Sequence, residues 1–195
     1  MTAATGMPLT VGLIGAGLLG NALADRLIQA GFQVIGWDTS RTALDQLVAL
    51  GGTAADAPED ISTGCHRLLL SLPDADIVEQ VLQTLQPSLR PGTVIIDTTT
   101  GDPQRTRQQA DLLAARDIRL MDATVLGSSV VTRGGNAVLM IGAEDTTLEL
   151  CSDLLQAVSS QIHHVGPVGS GQEMKLVANL VLGLNRAVLA EGLYF

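Results

Sequence analysis

Six residues near the start, Gly15-Ala16-Gly17-Leu18-Leu19-Gly20, leave this chain few choices of fold. A chain with 21 glycines can produce a G-x-G-x-x-G spacing by chance, so its setting decides. Val11–Ile14 reads as a strand, and beyond the glycines Leu19, Leu23 and Leu27 recur every fourth residue, one face of a helix that Gly31 stops. A glycine turn between a strand and a helix N-terminus is the arrangement that holds a dinucleotide. The first glycine permits the tight turn, the second lets backbone approach a pyrophosphate, and the third lets helix and strand pack closely. The phosphates then meet free N–H groups and the positive end of the helix dipole. Gly15, Ala16, Gly17, Leu18, Leu19 and Gly20 are therefore the candidate cofactor turn.

Phe32–Trp37 reads as a second strand, closed by Asp38, 18 positions beyond Gly20. An acidic side chain there hydrogen-bonds the adenine ribose hydroxyls and repels a 2′-phosphate, which favours NAD over NADP. Arg41 follows three residues on and could pair with that phosphate, so NADP stays open. Further strands are expected at His66–Leu70, Thr93–Ile96, Ile118–Met121, Ala137–Ile141 and Gln161–Val165. Between them lie helical patterns from Ser40 to about Leu50, around Ala75–Leu85, from Asp102-Pro103 to Ala115, and over Thr146–Val158. This alternation predicts an α/β fold, a Rossmann-type doubly wound and mostly parallel sheet over residues 1–165. Residues 166–195 then form a Gly-rich turn and one long helix from about Gln172, with Leu176, Leu180, Leu184 and Val188 on one face.

A net charge of −9 argues against a nucleic-acid partner, whose phosphates an acidic surface repels. Aromatics are 2% of the chain, so the core must be built from Leu, Val, Ile and Ala. The positive mean hydropathy points to apolar surface meant for another domain or subunit. Cys65 and Cys151 have neither CxxC nor metal-ligand spacing and read as reduced structural thiols of a cytoplasmic protein. The opening Met1–Thr10 lacks the basic region and apolar run of a signal peptide. Leu176–Ala190, interrupted by Asn179, Asn185 and Arg186, reads as too short for a bilayer, so no membrane is expected. His163-His164 are neighbours on a strand and point to opposite faces, which does not make a chelating pair.

Four further segments occur in order: Leu72-Pro73, Asp97-Thr98-Thr99-Thr100, Asp122-Ala123-Thr124-Val125-Leu126-Gly127-Ser128, and Gly166-x-x-Gly169-x-Gly171-x-x-x-Lys175-x-x-x-Asn179. With the glycine turn they resemble the β-hydroxyacid dehydrogenase family, which includes 3-hydroxyisobutyrate dehydrogenase and tartronate semialdehyde reductase. The resemblance runs from about Val11 to the last residue. It implies that Leu72 and Pro73 lie along the cofactor, that Thr99 contacts both substrate and cofactor, and that Thr99, Gly127 and Ser128 hold a substrate carboxylate. It also gives Lys175 the role of general acid and base and makes Asn179 its partner in holding the substrate oxygen. Lys175 and Asn179 are four apart and share a helix face.

The sequence departs from the family pattern in the carboxylate segment, where Thr124, Leu126 and Ser128 replace a proline, a serine and a glycine, and at Ala178, which replaces an asparagine. Leu126 suits a larger or less polar acid. Family members continue into a second, all-helical domain that closes the cleft and builds the dimer. That domain is absent here, and the long helix is expected to pair with a copy or to belong to a longer chain. The expected function is hydride transfer between NAD(H) and a small β-hydroxy acid or its semialdehyde. Two alternatives are an imine reductase, against which Lys175 counts, and a non-catalytic dinucleotide-binding module.

Overall fold

The computed structural model describes residues 9–195; most of the opening segment read against a signal peptide lies outside them. β1 (Thr10–Ile14) leads through the glycine turn into α1 (Leu18–Gln29), and β2 (Gln33–Trp37) into α2 (Arg41–Ala49). The two-residue β3 (Thr53–Ala54) precedes α3 (Pro58–Gly64), β4 (Arg67–Leu70) precedes α4 (Ala75–Leu85), and β5 (Val94–Asp97) precedes α5 (Pro103–Ala114). Then come β6 (Arg119–Leu126), α6 (Ser129–Arg133), β7 (Val138–Gly142), α7 (Asp145–Leu150), α8 (Ser152–Val158), β8 (Gln161–Gly166) and α9 (Ser170–Tyr194).

The strands form one sheet in the order β3-β2-β1-β4-β5-β6-β7-β8. Every neighbouring pair is parallel except β6 and β7. β4 and β5 are buried along their whole length, as parallel strands covered on both faces must be. Alternate residues feed two apolar layers. Leu13, Leu69 and Ile96 pack with Leu23 and Leu27 of α1 and Leu154 of α8, while Ile14, Leu70 and Ile95 pack with Leu82 of α4 and Leu113 of α5. Because β2 and β4 flank β1 on opposite sides, the strand order reverses there and opens a crevice at the carboxyl ends of β1 and β4.

Local chemistry sets the helix starts. Ser40 accepts the Ala43 N–H, Asp74 the Ile77 N–H at 2.9 Å, and Asp102 the Gln104 N–H at 2.8 Å with Pro103 in the first helical position. The structure differs from the sequence expectation in four places. β3 and α3 fill a stretch with no expected element, Pro58 opening α3. β6 runs on to Leu126 because β7 pairs antiparallel with its whole second half. The single helix expected over Thr146–Val158 is broken into α7 and α8 at Cys151. Finally, α9 spans 25 residues, long and apolar enough by length and composition alone to cross a membrane. This corrects the expectation of a short run, which counted only part of the helix.

Only the first turns of α9 are tied down: Gly171 and Gln172 are buried, whereas Leu176, Leu180, Leu184 and Val188 are exposed. Cys65 and Cys151 are buried free thiols whose pKa values burial pushes up to about 11 and about 12.

Candidate active site

The crevice holds a cavity of about 700 Å³, a volume suited to a cofactor. Its floor is the glycine turn. Gly15 has φ +93°, and a Cβ on Gly20 would lie 1.9 Å from the Gly15 carbonyl oxygen, so the third glycine is what lets α1 approach β1. At Gly17 a Cβ would meet nothing within 4 Å: this glycine faces open cleft. It is also the N-cap of α1 and offers no side-chain acceptor to the first-turn N–H groups, which leaves them for an anionic ligand.

Asp38 stands at the rim and lines the same cavity. One carboxylate oxygen accepts the Ala16 N–H at 2.7 Å and the other the Ser40 N–H at 2.7 Å. Each oxygen keeps a further lone pair, so the carboxylate can fix the turn and still receive a ribose hydroxyl. Arg41 pairs instead with Asp45 at 3.1 Å on an exposed helix face. Trp37, Leu72, Pro73, Thr98, Thr99 and Val125 complete the crevice walls, with Ile77, Val81 and Thr84 of α4. An open second glycine, an uncapped helix N-terminus and a rim carboxylate together fit a dinucleotide.

At the other end of the crevice, α9 is anchored to β6. Asp122 is fully buried and accepts the Gly169 N–H at 2.6 Å and the Gln172 N–H at 2.8 Å, capping a helix whose own N-cap residue has no side chain to do so. The Thr124 hydroxyl donates to the Gly171 carbonyl at 3.0 Å. One turn on, Lys175 is half-buried, and its Nζ donates to the Val125 carbonyl at 2.6 Å. Val125 itself lines the cavity, so the ammonium stands at the cavity's edge. Burial holds the Lys175 pKa below the ordinary lysine value, which favours the free base a proton acceptor needs.

Asp97 sits beside Asp122 in register. Burial, the largest cause, pushes its pKa from 3.8 up to about 6, against the opposing hydrogen bonds from Thr99; the neighbouring Asp122 adds a smaller upward push. A carboxyl whose folded pKa lies above its unfolded value favours the native state at acid pH and loses that contribution as pH rises through the window between the two. The wild type is therefore expected to lose on the order of 2–3 kcal/mol from this group between about pH 4 and pH 6. Asp97→Asn should flatten that part of a urea-denaturation stability profile. A mutant profile as steep as wild type would show that Asp97 is not the group responsible.

Gly15, Gly17, Leu18, Leu19, Asp38, Leu72, Pro73 and Thr99 meet around one cavity. Ala16 and Gly20 are buried beneath it. Lys175, Asn179, Gly127 and Ser128 do not line it; Lys175 reaches its edge through Val125, and Asn179 is exposed one turn further along α9. The expected carboxylate loop needs correcting: Thr124–Leu126 belong to β6, and only Gly127 and Ser128 follow the strand. Ser128 caps α6, accepting the Val131 N–H at 3.3 Å. His164 bonds the Ala143 carbonyl at 2.9 Å, and among the described residues no group of three or more His, Cys, Asp or Glu could hold a metal. Sequence reasoning gave no role to Gln172 or to the capping by Asp122, because their partners lie 47 to 73 residues away. It also missed the α4 wall, for which the only signal was an apolar stripe that also serves the core.

Comparisons with known proteins bear on the fold and its family. The family model described as the NAD binding domain of 6-phosphogluconate dehydrogenase matches residues 10–166. The 2-(hydroxymethyl)glutarate dehydrogenase of Eubacterium barkeri is 32% identical over 188 residues, covering 95% of this chain and 62% of that protein. A solved structure of Mycobacterium tuberculosis 3-hydroxyisobutyrate dehydrogenase with L-serine is similar with a TM-score of 0.91 and 25% identity, covering 95% of this chain and 64% of the other. An imine reductase from Myxococcus stipitatus, solved with NAD+, has a TM-score of 0.85 at 22% identity, covering 93% of this chain and 63% of the other, and shows the shared fold alone. The chain thus spans a little under two thirds of the length of these relatives.

Proposed function

Because the chain belongs to the NAD-binding domain family of 6-phosphogluconate and β-hydroxyacid dehydrogenases, we propose that it is the cofactor-binding part of an oxidoreductase acting on a small β-hydroxy acid or its semialdehyde. The Gly15–Gly20 turn would hold the pyrophosphate of NAD(H), Asp38 its adenine ribose, and Leu72, Pro73 and Thr99, which line the same cavity, would flank the rest. When bound, the dinucleotide supplies a nicotinamide that accepts or gives hydride. The Lys175 Nζ takes the substrate hydroxyl proton on oxidation and returns it on reduction, with Asn179 one turn away on the same helix face holding the substrate oxygen.

The Thr99 hydroxyl accepts the Leu72 N–H at 3.1 Å and bonds the Asp97 carboxyl, which fixes Thr99 at the cavity wall beside the place proposed for the substrate carboxylate. Gly127 and Ser128 hold the same carboxylate from the end of β6. The two buried thiols suit a reducing, cytoplasmic setting, and the exposed apolar face of α9 is the surface for self-association.

The observation that carries this reading is the position of Lys175, at the edge of a dinucleotide crevice with its Nζ 2.6 Å from the carbonyl of a cavity-lining residue. The test is a titration with NADH and, separately, NADPH, following emission from Trp37, which lines the crevice and is the only tryptophan. Saturable quenching is expected with both, tighter for NADH by about 10-fold or more, since one lost charge-assisted hydrogen bond at Asp38 is worth that much. No saturable quenching with either cofactor would overturn the reading. Equal affinity would remove only the role given to Asp38. For the imine reductase alternative, a panel of cyclic imines against hydroxy acids decides. Cofactor binding without turnover of either panel would favour the non-catalytic module.

A further inference from the structure

Gln172 is fully buried, in the first turn of α9 and three residues before Lys175. Its side chain bonds entirely to a loop on the cofactor side. Nε2 donates to the Thr99 carbonyl at 2.7 Å, and Oε1 accepts the Gly101 N–H at 2.8 Å. Its backbone N–H is held by Asp122. Thr99 in turn receives the Leu72 N–H on its hydroxyl, and Leu72 lines the crevice. Lys175, on the same helix face as Gln172, closes the circuit by donating to Val125, which also lines the crevice.

From this geometry we infer that Gln172 is a positioning residue, which locks the Thr99–Gly101 loop to the start of α9 and so holds Lys175 in register with the cofactor-side wall at Leu72 and Thr99. The inference deepens the functional reading above and rests on it for its catalytic consequence; the mechanical link itself is independent of it. A buried glutamine could instead merely fill the interface, but then an apolar side chain of the same length would serve. Both ends of this amide are used, and the two groups it satisfies are backbone atoms of the loop that carries Thr99.

The link is tested by hydrogen exchange on the full chain, comparing wild type with Gln172→Met, which keeps length and loses both bonds. Without cofactor, exchange should quicken at two places far apart in sequence, the Leu72 amide and the first turns of α9, while β1 and β2 keep wild-type rates. A change confined to α9, or one spread over the whole sheet, would overturn the link. Where Gln172→Met does not fold, Gln172→Glu is read in the same way, since an ionised carboxylate can accept from Gly101 but cannot donate to Thr99. With NADH present, wild type should show slower exchange over 173–177. The variant should lose that slowing although Trp37 quenching still reports bound NADH. Where a hydroxy acid is turned over, the variant's kcat should fall about 10- to 100-fold with NADH affinity retained, the scale of a small misplacement of a reacting group. Failure of NADH to quench wild type would sink the cofactor reading and leave the cofactor-free exchange result to decide the link.

Discussion

Replacing Lys175 with alanine is expected to lower turnover of the hydroxy acid by about 10³-fold, inside the range that a positioned acid or base contributes, while NADH binds as tightly as before. The two effects separate because of where the side chain stands. Lys175 touches the Val125 carbonyl but does not line the cavity whose glycine turn and Asp38 are assigned to the cofactor. Its removal costs the buried Val125 carbonyl one hydrogen bond, a loss the fold should survive. Lys175→Arg sharpens the test. Arginine can keep a hydrogen bond to Val125 and keeps the positive charge, yet it does not deprotonate in the working range. An arginine variant that binds NADH but does not turn over would therefore assign the loss to proton transfer rather than to packing or charge.

The pH profile gives the same answer from another direction. Burial lowers the Lys175 pKa, so the oxidation rate of wild type should rise with pH to a plateau whose midpoint lies below the ordinary lysine value. The arginine variant should lack that limb. Wild-type turnover in Lys175→Ala would remove the lysine from the mechanism.

The parts of this site that the sequence made legible are those where function depends on local spacing. The glycine turn is six consecutive residues between a strand and a helix, and Lys175 and Asn179 are one helical turn apart, so pattern alone places them. The strands that pass through the centre of the sheet, such as Arg67–Leu70 and Val94–Asp97, are short apolar runs because both faces are covered. What stayed hidden depends on tertiary pairing. β3 is two residues held at the sheet edge by β2, and no pattern can mark so short an element. The second half of β6 merges in sequence with the irregular Gly/Ser segment that follows it; only its antiparallel pairing with Val138 to Gly142 makes a strand of it. Asp122 reads as a loop carboxylate until the chain returns 47 residues later to place Gly169 on it. The same holds for Gln172, whose role is set entirely by partners from another element.

The glycine turn offers the test with the second large effect, since two of its glycines are needed for different reasons. Gly17 has φ −68° and ψ −163°, extended backbone that alanine adopts freely, and a Cβ there would meet no atom of the protein within 4 Å. Gly17→Ala should therefore fold, with a melting temperature lowered by only a few degrees for the weaker N-cap. Its methyl group would project where the pyrophosphate must approach the first-turn N–H groups. Losing one or two hydrogen bonds to a charged group, each worth about 1.5–3 kcal/mol, should weaken NADH binding by about 100-fold. Gly20→Ala differs, because its Cβ would lie 1.9 Å from the Gly15 carbonyl oxygen, a backbone atom that cannot swing aside. α1 must move away from β1, which should cost about 3 kcal/mol of stability as well as cofactor affinity. Thermal melts and Trp37 titrations on the two variants would separate a residue kept free for a ligand from one kept free for packing. Wild-type NADH affinity in a folded Gly17→Ala protein would mean that the pyrophosphate does not lie on this turn.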